Sequence, residues 1–233
     1  MCKECRGGEL ASVSIFILSH DSNTFPPSEF ADDSGLLAIG GDLSIERLLN
    51  AYANGIFPWY NPGEVIQWWC PKERFIIFPS CIHVSRKMRK IINKNSLQTK
   101  INSDFPLVIN NCKMMRENET WITAEMEFAY NKLFEAGYAL CVSVYDNETL
   151  VGGLYGVTIG KCFFGESMFT RTANASKLAL IHLCETLSAK DFLFVDCQFH
   201  TEHLESMGGQ HVPWDEYKRL LKMGLTTLAK YES

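Results

Sequence analysis

Residues 139–196 read ALCVSVYDNETLVGGLYGVTIGKCFFGESMFTRTANASKLALIHLCETLSAKDFLFVD, and this stretch decides the fold. Three runs rich in β-branched and aromatic residues, Ala139–Tyr145, Leu150–Val157 and Cys162–Ser167, follow one another closely. Short connections separate them, with turns at Asp146-Asn147-Glu148 and Ile159-Gly160. Connections this short join antiparallel neighbours, so the three strands form a meander. From Ser176 to Ala189 the chain is apolar nearly all round, with Leu178, Leu180, Ile181, Leu183 and Leu187. A helix of that kind is buried, here against the sheet. Phe192–Val195 is then a short continuous apolar run, the pattern of a central strand.

Working outward, Thr123 caps a helix with Glu125 and Glu127 in its first turn, Met126, Tyr130, Leu133 and Phe134 on its buried side, and Gly137 as its stop. Arg74 to Phe78 reads as a strand, and Val84, Met88, Ile91 and Ile92 draw an apolar stripe along a basic helix. Pro213 opens a last helix carrying Tyr217, Leu220 and Leu221. Residues 25–71 differ, being rich in turn residues and aromatics around one helix. Ser44 caps that helix, Ile45, Leu48, Leu49 and Tyr52 line it, and Gly55 ends it. The expectation is an α+β protein with a small N-terminal domain, residues 1–72, and a larger one, residues 73–233. Meander, buried helix and buried strand, in that order, suit a GNAT-like acyltransferase core in the larger domain.

The 233 residues are 46% hydrophobic and 21% charged, which excludes a disordered or collagenous chain. The apolar run from Val13 to Leu18 falls far short of the roughly 20 residues that span a bilayer, and it is too short for a signal peptide. A cytoplasmic protein is expected, and the nine cysteines read as reduced thiols. Cys2-Lys3-Glu4-Cys5 is half a zinc site at best. Net charge is −5, which argues mildly against nucleic-acid binding. Residues 72–100 reverse the balance locally: they hold eight of the 22 basic residues against one acid, Glu73. That stretch is either a solvated helix face or a surface for phosphates.

Two carboxylates stand out by position. Asp196 ends the apolar strand, with Gln198 two residues on and on the same side if the strand continues. Glu166 is the only charge in the aromatic stretch from Phe163 to Phe169. Either can be structural or functional. Cys197, His200 and His203 form C-x2-H-x2-H, which is read first as ordinary packing rather than as a metal site or a Cys–His pair. No phosphate-binding loop, HExxH or GxSxG occurs. The Arg/Gln-x-x-Gly-x-Gly/Ala loop that would hold the pyrophosphate of acetyl-CoA is also absent. An acyltransferase of this kind needs another donor.

These blocks together resemble the leucyl/phenylalanyl-tRNA–protein transferases. The matching stretches are Gly35–Leu43, Gly55–Tyr60, Trp68-Trp69, His83–Arg86, Thr120–Thr123, Leu150–Val157, Phe164–Phe169, Asn174–Lys177 and Asp196–Gln198. They run in order through most of the chain. One block departs: Cys70-Pro71-Lys72-Glu73-Arg74 stands where the family usually shows Ser-Pro-Asp-Pro-Arg.

The resemblance implies an enzyme that moves Leu or Phe, with Met as a leak, from aminoacyl-tRNA to the N-terminal amine of proteins beginning with Lys or Arg. The product is an N-degron for protein degradation. No metal and no cofactor are implied. Glu166 matches the family's active-site glutamate, and Asp196 is the candidate proton acceptor or orienting group, with Gln198 between it and the reacting atoms. Trp59 and Trp121 match the aromatics that hold the terminal adenosine. Leu154, Phe163, Met168 and Val195 match the pocket for the donor side chain, with plain core packing as the alternative. Arg74, Arg86, Lys87, Arg89 and Lys90 would face the tRNA backbone. Glu166 and Asp196 are expected to rim one apolar cavity. The alternatives are an acyl-CoA enzyme of the same fold and an RNA-binding module without catalysis.

Overall fold

The structure, a computed structural model, describes residues 15–115 and 120–226. The CxxC pair at Cys2 and Cys5 lies outside the described residues. In chain order the elements are β1 (Phe16–Leu18), β2 (Leu36–Gly40), α1 (Ile45–Ala53), β3 (Phe57–Pro58), β4 (Gln67–Trp69), β5 (Glu73–Ile77), α2 (Arg86–Lys94), β6 (Gln98–Ile101) and α3 (Phe105–Met114). Then follow α4 (Ala124–Glu135), β7 (Ala139–Asp146), β8 (Thr149–Ile159), β9 (Cys162–Thr170), α5 (Ala175–Ser188), β10 (Phe194–Asp196), α6 (Glu202–Glu205), β11 (Gln210–Pro213) and α7 (Trp214–Thr226).

The helices start where their caps are. Ser44 accepts from the Arg47 amide at 3.4 Å and Thr123 from the Met126 amide at 3.1 Å, each satisfying one orphan N–H of the first turn. Gly137 turns the chain out of α4 with φ +84°. Pro213 closes β11 rather than opening α7, and the helix begins one residue later.

Two sheets result. A small one has the order β1-β2-β4-β3 and carries α1 beside it; the large one runs β11-β5-β10-β9-β8-β7-β6. The expected meander β7-β8-β9 is antiparallel throughout, and after α5 the chain returns as β10, parallel to β9. Meander, buried helix and buried strand therefore occur in the order expected. The large sheet separates two cores. On one face Leu154, Phe163 and Val195 pack with Leu180 and Leu183 of α5. On the other, Tyr155, Phe164 and Phe194 join Tyr52, Tyr130 and Tyr217, and this core continues into the small sheet.

One irregularity shapes the centre. Tyr155 of β8 pairs with Ser167 of β9 and the next residue, Gly156, pairs with Gly165, so Glu166 has no cross-strand partner. Glu166 is the extra residue of a β-bulge, which breaks the strict alternation of faces. Gly156 is required opposite it. A Cβ there would lie 2.1 Å from the Phe164 carbonyl oxygen and 2.5 Å from the Phe163 ring. Among the described residues no helix is long and apolar enough to cross a membrane.

Candidate active site

Two hollows meet at the bulge. The first, about 300 Å³, is walled by Leu154, Phe163, Met168 and Val195 from three adjacent strands, with Leu180 and Leu183 of α5 opposite. Leu154 pairs with Met168 across β8 and β9, and Val195 with Phe163 across β10 and β9, so the register alone puts these four on one patch. The second hollow, about 220 Å³, is an aromatic slot lined by Phe57, Trp59, Trp121 and Phe199. Trp59 packs against Trp69 and Phe199 at 5.5 and 5.4 Å between ring centroids, yet stays 41% exposed. Glu166, Cys197, Gln198, Thr201 and Leu204 line both hollows and form the ridge between them. A larger cavity of about 610 Å³ between Phe25, Asn50, Trp214 and Lys218 contains none of these groups.

Glu166 is held by two phenols. Tyr52 Oη donates to its Oε1 at 2.7 Å and Tyr130 Oη to its Oε2 at 2.8 Å. Burial pushes the Glu166 carboxyl up to about 7, while the tyrosine hydrogen bonds pull the other way; the nearby Asp196 adds to the rise and Arg74 offsets part of it. Burial, and then the Glu166 charge, holds both Tyr52 and Tyr130 well above the usual phenol range. The pair therefore serves Glu166 as neutral donors.

Asp196 departs from expectation. It is fully buried and does not rim the apolar cavity, because it follows Val195 in β10 and so points to the opposite face of the sheet. Its carboxylate is already filled. Arg74 Nε donates to Oδ1 at 3.3 Å, Arg74 Nη2 and Tyr217 Oη (2.6 Å) donate to Oδ2, and the Gln198 amide donates to Oδ1 at 2.9 Å. Gln198 does not continue the strand. β10 stops at Asp196, and Gln198 turns into the left-handed region with φ +57°. It is the Gln198 side that reaches the cavities, with Asp196 behind it as an anchor.

Arg74 must also be reassigned. It is 1% exposed and paired with Asp196, so it is not a contact for the tRNA backbone. Burial alone would lower its pKa, but Asp196 and then Tyr217 reverse that and raise it. Removing either partner of such a buried pair strands the other charge, at a cost of about 3–5 kcal/mol. By contrast Arg86, Lys87, Arg89 and Lys90 are all exposed on α2, whose apolar side is anchored by buried Met88.

Cys197, His200 and His203 do not form a site together. His200 Nε2 lies 3.0 Å from Glu205 and its ring stacks near His211. Among the described residues no group of three His, Cys, Asp or Glu side chains is placed to hold a metal ion. Tyr52, Tyr130 and Tyr217 went unread as site residues, because helical spacing marks them only as core.

The model of the family described as leucyl/phenylalanyl-tRNA protein transferase matches residues 76–222, and that of its N-terminal domain matches residues 41–72. The chain belongs to this family. Leucyl/phenylalanyl-tRNA–protein transferases of Syntrophus aciditrophicus and Flavobacterium psychrophilum are 48% and 46% identical to it. The first match covers 86% of this chain and 85% of the relative, the second 85% and 96%. That of Tolumonas auensis is 46% identical over 90% of this chain and 92% of its own. Among solved structures, an aminoglycoside acetyltransferase from a soil metagenome, in complex with sisomicin, is similar with a TM-score of 0.39 at 15% identity. That likeness covers 48% of this chain and 84% of the acetyltransferase. The enzyme is thus an aminoacyltransferase that acts on proteins, and the ridge between the two hollows is its candidate centre.

Proposed function

We propose that the enzyme takes Leu or Phe, and less readily Met, from the 3′ ester of tRNA and attaches it to the α-amine of proteins beginning with Lys or Arg. The product carries an N-degron for protein degradation. One observation carries the reading: an apolar hollow of about 300 Å³ and an aromatic slot share a ridge that bears Glu166 and Gln198. A hydrophobic side chain fits the first hollow. A terminal adenosine fits between Trp59 and Trp121, where stacking contributes about 1–3 kcal/mol. The ester joining the two then crosses the ridge.

The chemistry needs little else. An aminoacyl ester is already activated, so neither metal nor cofactor is required. The neutral amine attacks the carbonyl carbon, the new C–N bond forms as the C–O bond to the ribose breaks, and one N–H proton ends on the leaving hydroxyl. Holding the reactants in contact supplies most of the rate. Glu166 is the one carboxylate lining both hollows, which suits it to receive a cationic amino terminus. Asp196 orients Gln198 through the main chain and accepts no proton from substrate. The exposed face of α2, with Arg86, Lys87, Arg89 and Lys90, would meet the tRNA backbone without reading bases. In a division at residue 72/73 the smaller domain supplies Tyr52, Phe57 and Trp59, and the larger one Glu166, Gln198, Trp121 and the apolar hollow. The seven described cysteines are free thiols, in keeping with work in the cytoplasm, where charged tRNA is used.

The test is transfer of labelled Leu from Leu-tRNA to a peptide starting with Arg, beside one starting with Gly. Transfer to the first alone is expected. Equal transfer to both, or to neither, overturns the reading.

A further inference from the structure

One guanidinium touches both walls of the aromatic slot. On one side Arg74 Nη1 donates to the Gly55 carbonyl at 2.9 Å, and the Phe57 ring lies 4.9 Å from the guanidinium carbon. Gly55 is locked in its turn: its φ is +72°, and a Cβ would come within 2.8 Å of the Trp214 ring. Two residues after Phe57 comes Trp59, on the same wall. On the other side Arg74 binds both oxygens of Asp196, and Asp196 Oδ1 takes the Gln198 amide at 2.9 Å. Gln198 and Phe199 line the slot from this side, and the Phe199 ring meets the Phe57 ring edge to face with 5.7 Å between centroids.

We infer that Arg74 is a positioning residue that sets the separation of Trp59 and Gln198, and with it the seat of the terminal nucleoside ester. The inference rests on the function proposed above. The physical basis is the planar fork of the guanidinium: its five N–H groups point in fixed directions, so one carboxylate and one carbonyl held by it are fixed relative to each other. An ammonium is a single point of charge. Lysine at this position can meet Asp196 or the Gly55 carbonyl, and it leaves the two walls uncoupled.

The experiment compares wild type with Arg74→Lys, and with Arg74→Met combined with Asp196→Asn, which leaves no lone buried charge. Turnover with Leu-tRNA, affinity for tRNA trimmed of its terminal adenosine, melting temperature and a crystal structure are measured for each. Turnover is expected to fall about tenfold or more, the scale of a misplaced reactant. Affinity for the trimmed tRNA, which leaves the slot empty and relies on α2, should stay within about twofold. A role in stability alone would let activity recover when the assay is run well below the melting temperature. In the crystals the Phe57–Phe199 separation should change and Gln198 should leave the left-handed region. Folded variants with wild-type turnover, or with an unchanged slot, overturn the inference, as does failure of both to fold. If wild type moves neither Leu nor Phe, the proposed function falls, while the crystallographic comparison still decides the role of Arg74.

Discussion

The hydroxyls of Tyr52 and Tyr130 lie 2.6 Å apart, and each also meets one oxygen of Glu166. Three close oxygen pairs need three protons. Two phenols supply two, and a protonated Glu166 supplies the third, closing a ring of hydrogen bonds. With the carboxyl ionised, both phenols donate to it and their mutual contact has no proton. The ring is thus a device balanced between two charge states.

Stability should follow that balance. The Glu166 carboxyl is raised from 4.5 to about 7 by burial, so the folded protein holds this proton more tightly than the unfolded chain. The stability contributed by the raised value is present in full below the unfolded value and is lost as pH climbs through the folded one. Glu166→Gln keeps the shape and removes the titration. Relative to this variant, wild type should lose on the order of 3 kcal/mol of unfolding free energy from about pH 4 to about pH 8. Urea unfolding at both pH values checks this; parallel curves would refute it.

Tyr130→Phe removes one donor to the carboxylate. Its hydrogen bond lowers the Glu166 value, so the variant should raise it further. The acid limb of the transfer rate against pH should shift upward by about half a unit or more, with about 1 kcal/mol of stability lost. A profile that only drops in height, without moving along the pH axis, would count against Glu166 as the group that receives the amine.

Trp121 is half-buried and lines the aromatic slot. Trp121→Ala should raise KM for aminoacyl-tRNA by about 5- to 150-fold, the value of one stacked base. Steady-state kinetics with Phe-tRNA, with acceptor peptide saturating, reads it. An unchanged KM would mean that the ring merely packs.

Met168 lies beside Leu154 on the sheet wall of the first hollow and is only partly buried, so shortening it enlarges the hollow without emptying the core. Met168→Ala should move donor preference from Leu toward Phe and larger side chains. A change of about tenfold in the ratio of kcat/KM is expected for this much added space. Competition between Leu-tRNA and Phe-tRNA measures it directly, and an unmoved ratio would place the donor side chain elsewhere.

Much of this was readable before the fold. Ser44, Thr123 and Gly137 announce their helix boundaries because capping and left-handed stops are local events. The β-branched and aromatic runs of Ala139–Asp146, Thr149–Ile159 and Cys162–Thr170, each bounded by its own turn residues, are equally local. The bulge was not legible: a two-residue period cannot reveal a single inserted residue, so Glu166 looked like the end of a strand when it is the irregular centre of one. Nor could the pairing of Arg74 with Asp196 be read, since 122 residues of chain separate them and no periodicity encodes a partner that far away. Arg74 therefore passed for one more member of a basic stretch. β6 and α3 escaped too, the first because its exposed residues are polar, the second because Pro106 near its start masks the helical pattern.

Gln198 occupies backbone territory that glycine and asparagine prefer. A glycine there would relax the chain by about 1 kcal/mol, so any selection for heat tolerance alone would favour it. The same exchange would erase the amide that stands between the two hollows. Thermal hardening and catalytic competence are thus opposed at this one position, and a library screened only for survival on heating would converge on sturdy, silent proteins.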